Sequence, residues 1–95
     1  MAQVVVTIRV IPESPEIDIN NLELAITKEI LKFIDKVDKK FVKCDIKPFA
    51  FGLNSLDFMF VMDESRGSTD DLEETLRNIE GAQGVEVTDV RRTLG

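Results

Sequence analysis

The chain has 95 residues, 43% of them hydrophobic and 32% charged, and carries a net charge of −6. These values describe one small globular domain, 1–95, with a modest core, and exclude a disordered chain; no apolar run approaches the ~20 residues that span a bilayer. The negative balance argues against direct nucleic-acid binding, because phosphate contacts need surplus Lys and Arg.

The single cysteine, Cys44, forms no internal disulfide and builds no metal site alone, and the chain has no His to act as base or ligand. The N-terminus has neither a basic region nor a cleavage signature, so a cytoplasmic, metal-free protein without a membrane anchor is expected. Charge is unevenly spread. Residues 28–47 hold seven Lys against four acids, about +3, and residues 57–80 hold eight acids against two Arg, about −6.

In chain order, Val4, Val6, Ile8 and Val10 alternate with Val5, Thr7, Arg9 and Ile11, which predicts a central strand over 4–10 that ends at Pro12. Asp18 or Asn20 caps the next helix, with Glu23 completing a capping box from Asn20. Ile19, Leu22, Ile26, Ile30, Phe33 and Val37 form one apolar stripe, giving a helix about 19 residues long, closed by positive charge at Lys39 and Lys40. From Phe41 to Pro48, Val42, Cys44 and Ile46 face inward while Lys43, Asp45 and Lys47 face out, the pattern of an edge strand. A turn over Gly52–Ser55 leads into a second central strand, 56–62, with Phe58, Phe60 and Met62 on one face and Met59 and Val61 on the other. Ser68 or Thr69 caps an acidic second helix with Leu72, Leu76 and Ile79 inside and Gly81 at its end. Val85, Val87 and Val90 mark a short last edge strand, followed by a basic tail, Arg91-Arg92-Thr93-Leu94-Gly95.

The order strand, helix, strand, strand, helix, strand predicts an α+β, ferredoxin-like βαββαβ sandwich: a four-stranded antiparallel sheet with two helices on one face. Three kinds of chemistry are open to that fold. Hydrolysis of acyl phosphates needs a backbone phosphate cradle with an Arg after the first strand, where this chain has the acidic segment Pro12-Glu13-Ser14-Pro15-Glu16. The acids Asp70, Asp71, Glu73 and Glu74 have the spacing of a helix N-terminus rather than of a cation site, and Cys44 reads as a core residue rather than a nucleophile. RNA recognition needs aromatics on the open sheet face, whereas Phe58 and Phe60 share the core face. Protein binding remains. Phe49 and Phe51 flank Ala50 beside the turn residue Gly52, and each is a core plug or an interface anchor.

Pro-Phe-Ala-Phe-Gly-Leu at 48–53, the opening Val-Val-Val-Thr-Ile-Arg-Val-Ile-Pro-Glu-Ser-Pro-Glu-Ile-Asp and the closing Val-Glu-Val-Thr-Asp-Val-Arg-Arg together resemble the exchange domain of elongation factor 1-beta, in its archaeal branch. The likeness runs nearly end to end. It implies guanine nucleotide exchange on the GTPase elongation factor 1-alpha, with no catalytic residue and no cofactor of its own, since GDP, GTP and Mg²⁺ belong to the partner. It also implies that Phe51, beside Gly52, docks into a pocket of the GTPase; Phe49, on the same loop, is a further candidate contact from its position alone. Eukaryotic members of the family carry a penultimate lysine; the ungapped match here is Gly95, so that role does not transfer. Arg91 and Arg92 remain as positive charges at that end, either in this role or as a surface pair. The alternative reading is a stand-alone ferredoxin-like regulatory or ligand-binding domain.

Overall fold

A computed structural model describes residues 3–66 and 68–93, with Thr93 described by its backbone alone. Four strands, β1 (Gln3–Pro12), β2 (Val42–Pro48), β3 (Asn54–Asp63) and β4 (Ala82–Thr93), form one antiparallel sheet in the order β2-β3-β1-β4. Two helices, α1 (Ile19–Phe33) and α2 (Asp70–Arg77), pack on one face. This is the α+β, ferredoxin-like arrangement, with the two most apolar strands in the middle.

The register explains the core. Val6, Ile8 and Val10 stand opposite Phe60, Phe58 and Leu56, and all six are almost fully buried. They meet Leu22, Ile26 and Ile30 of α1 and Leu72 and Leu76 of α2. Period-2 and period-3.6 apolar patterns thus bury one sheet face against two helix stripes. Among the described residues no buried side-chain polar atom lacks a hydrogen-bond partner.

The structure differs from the sequence expectation at several points of these elements. First, α1 has 15 residues, not 19. Asp18 alone caps it, accepting from the N–H groups of Asn20 and Asn21 at 3.0 and 3.3 Å, and Asn20 lies inside the helix. Asp35, at φ 58°, ends it: Asp35 N–H donates to the Lys32 carbonyl and Lys36 N–H to the Leu31 carbonyl, a Schellman closure with Asp where Gly is usual. Val37 therefore leaves the stripe and is 96% exposed. Lys39–Phe41 form a separate 3₁₀ turn rather than the end of the helix, so β2 starts at Val42.

Second, Cys44 is half-buried on the inner face, but Ile46 is exposed. Third, Ser68 Oγ accepts from Asp70 N–H at 3.0 Å, while Thr69 occupies the cap position without such a bond. Fourth, β4 is twelve residues long and absorbs Arg91 and Arg92, which are strand residues rather than a tail. Leu94 and Gly95 lie outside the described residues. An extra residue at Thr88 shifts the register, so that Val87 opposes Ile8 and Val90 opposes Val6. The bulge resolves the three-residue step from Val87 to Val90, which no regular strand could place on one face. Val90 is nevertheless 56% exposed.

Gly81 closes the α2–β4 connection at φ 96°, and its carbonyl accepts from Glu13 N–H at 2.9 Å. A Cβ there would meet Ile17 Cγ2 at 3.2 Å. Gly81→Ala is expected to destabilise the fold by about 1–2 kcal/mol, from left-handed backbone strain and the crowded isoleucine. Urea denaturation measures this, and an unchanged midpoint would contradict it.

Candidate functional site

The β2–β3 hairpin carries the site. Its last strand pair is Pro48–Asn54, after which Phe49 N–H donates to the Leu53 carbonyl at 2.7 Å. Leu53 N–H donates in turn to the Ala50 carbonyl at 3.1 Å, closing a four-residue turn with Phe51 and Gly52 at its centre. The turn is thus Ala50–Leu53, and Asn54 and Ser55, expected in it, belong to β3. Phe51 has φ 59° and ψ 34°, and Gly52 has φ 76°. Two successive positive φ values with this hydrogen bond make a type I′ turn, the kind that matches the right-handed twist of a hairpin. A Cβ on Gly52 would meet nothing within 4 Å, so backbone conformation rather than space calls for glycine there.

The first central position of such a turn is ordinarily Asn, Asp or Gly. An aromatic residue there crowds its Cβ against its own carbonyl, at a cost of roughly 1–2 kcal/mol. No local packing offsets this, because the Phe51 ring is 93% exposed. Phe49 is 43% exposed on the approach. Neither is a core plug; together they form an aromatic point at the tip of a hydrogen-bonded hairpin.

Arg91 and Arg92 do not join this cluster. In register, Val5 stands opposite both Val61 and Arg91, whereas the hairpin tip lies beyond Asn54. Seven residues of β3 separate those levels, roughly 23 Å along the strand, and Arg91 also lies two strands across. The molecule is 42 Å long, and the two groups lie toward opposite ends of it. Each arginine already has an acid. Arg91 Nε is 2.8 Å from Asp89 Oδ2, and Arg92 bonds Glu64, a contact that raises its already high pKa. These pairings could not be read from the sequence, because the bulge at Thr88 decides which face each arginine takes.

On the open sheet face one carboxylate is shared by two cations. Asp57, nearly buried, accepts from Arg9 Nε at 3.1 Å and lies 3.5 Å from Lys47 Nζ. Burial first, then its hydrogen bond to Glu23, pushes the Cys44 thiol up to about 12, so it stays protonated at neutral pH. Asp70, Asp71 and Glu73 occupy the first turn of α2, where they complement the helix dipole. Among the described residues no group of three His, Cys, Asp or Glu is placed to hold a metal ion.

What the described residues present at this hairpin is a strained, projecting aromatic. Comparison with known proteins gives the family. The model of the EF-1 guanine nucleotide exchange domain matches residues 5–93. Elongation factor 1-beta of Methanothermobacter thermautotrophicus is 44% identical over 94 residues, 99% of this chain and 100% of that protein. Those of Methanosphaera stadtmanae and Saccharolobus solfataricus are 39% and 36% identical, covering 99% and 97% of this chain and 100% and 97% of their own. With a matched domain running almost from end to end and relatives of equal length, the chain belongs to the EF-1 guanine nucleotide exchange family, in its archaeal form.

Proposed function

We propose that this chain promotes GDP release and GTP reloading on the translation GTPase elongation factor 1-alpha, with the Phe51 turn as its anchor. The supporting observation is the position of Phe51: a large apolar ring, outside the core, held in a costly backbone conformation at a rigid tip. Strain of this kind persists where the surrounding structure enforces it and function uses it. Family membership supplies the reaction.

The mechanism is linkage. A protein that binds the nucleotide-free GTPase more tightly than the GDP-bound form weakens GDP binding by the same factor. No covalent step is needed, so the exchange factor contributes binding energy alone. GDP, GTP and Mg²⁺ are the partner's ligands, and this chain holds no cofactor; its single unit, 1–95, works in the cytoplasm, where translation takes place. Phe51, backed by Phe49 and Gly52, enters an apolar pocket of the GTPase. Arg91 and Arg92 exchange their present acids for acidic groups or phosphate on the partner, at a separate contact.

Release of fluorescent GDP from the matching elongation factor 1-alpha tests the reading. Catalytic amounts of this protein with excess GTP should speed release many-fold. If release is unchanged with both proteins folded, the proposal is wrong.

A further inference from the structure

We infer that the flank of α1 is a docking groove for an acidic segment of a partner protein, anchored by apolar side chains. The groove has a volume of about 560 Å³. It is lined by Leu24, Ala25, Thr27, Lys28 and Leu31 of α1 and by Val37 and Lys39 beyond its end. It exists because α1 stops early. The left-handed Asp35 lifts Val37 off the helix stripe and out to 96% exposure, facing a helix flank where Leu24 is 48% exposed.

The charge around it is positive on balance. Residues 28–40 hold five Lys against Glu29, Asp35 and Asp38, about +2, in a chain of −6. Among the described residues, neither Lys28 nor Lys39 has a carboxylate within salt-bridge distance. Lys36 adds to the patch, 4.9 Å from the centre of the Phe41 ring; Lys40, 5.4 Å from the same ring, lies 4.0 Å from Asp38. A mostly aliphatic trough whose lining includes two ammonium groups outside any ion pair fits an amphipathic helix with apolar anchors on one face and carboxylates on its flanks. Nucleic acid fits less well, because the trough has no aromatic ring to stack a base and the chain as a whole repels phosphate. A second copy fits less well, because two chains of −6 repel each other. The groove is formed by α1 and the turn after it, not by the Phe51 hairpin, and the inference does not depend on the exchange reading.

The probe is a synthetic helical peptide of roughly 15 residues, with Leu at positions i, i+3 and i+7 and Glu on its flanks. A counterpart carries Lys in place of Glu. Each is titrated into the isotope-labelled full chain and followed by amide chemical shifts. The expected result is shifts confined to residues 24–39, an affinity at least about tenfold higher for the Glu peptide than for the Lys peptide, and weakening with salt. Val37→Glu, at a position outside the core, should weaken binding by about tenfold or more, while Phe51→Ala leaves it unchanged. Absence of shifts at millimolar peptide, shifts elsewhere, or equal binding of both peptides overturns the inference. So does a single-stranded RNA that displaces the peptide, or the same shifts appearing on concentrating the chain alone, which would make the occupant a nucleic acid or a second copy.

Discussion

Phe51→Asn should make the domain more stable while removing its exchange activity. The turn has φ 59° at Phe51 and φ 76° at Gly52, and Asn-Gly is the pair that a type I′ turn favours. Asparagine tolerates the left-handed region, so the substitution recovers about 1 kcal/mol of backbone strain. It loses no packing, since the ring is 93% exposed. For a domain of this size a gain of about 1 kcal/mol raises Tm by roughly 4–8 °C. The activity moves the other way. Removing a central aromatic anchor from an interface costs about 2–4 kcal/mol, or roughly 30- to 1,000-fold in kcat/KM for GDP release. Urea denaturation and stopped-flow release on the same sample read both effects. A variant that is less stable would refute the strain, and one that exchanges normally would refute the anchor.

Phe58→Ala tests the other kind of phenylalanine. Phe58 lies seven positions further on, in the middle of β3, between Ile8 of β1 and Cys44 of β2, and is 0% exposed. Truncation removes its burial and leaves a cavity that the surrounding helices and strands fill only in part. The expected cost is about 3–5 kcal/mol, against a total stability of about 5–15 kcal/mol for a domain of ordinary size. The variant should therefore unfold at much lower urea concentration, with a large fall in Tm. A loss below about 1 kcal/mol would mean that the core does not close around this ring as described. The same residue type thus serves opposite ends: buried, it supplies stability; at the turn, it consumes it.

The strands and helices were legible because each has one buried face, and apolar residues recur with the period of that face. Val6, Ile8, Val10, Leu22, Ile26 and Ile30 needed nothing more. The end of α1 was hidden because Val37 keeps the helical spacing, while the signal that ends the helix is a left-handed Asp35, a conformation usually announced by glycine. The length of β4 was hidden by the bulge at Thr88, which breaks alternation and made Arg91 and Arg92 look like a tail. At the site, Phe51 beside Gly52 was visible as an oddity. Its exposure was not, because a phenylalanine near a turn is as consistent with burial until the turn type is known. The Arg92–Glu64 pair had no sequence signal, since the two residues meet only through the register of separate elements.

The turn at Phe51 also bears on how the chain reaches its native state. By loop length the β2–β3 hairpin should form first: Pro48 and Asn54 are six positions apart, whereas Val10 and Leu56 of the central pair are forty-six apart. Closure entropy, growing as (3/2)RT ln n, favours the hairpin by only about 1.8 kcal/mol. The left-handed phenylalanine costs roughly 1–2 kcal/mol, which cancels most of that advantage. The hairpin therefore holds no privileged place as a nucleus, and the central strands compete with it from the start. A residue whose ring takes no part in the core has in this way levelled the order of assembly within the chain that carries it.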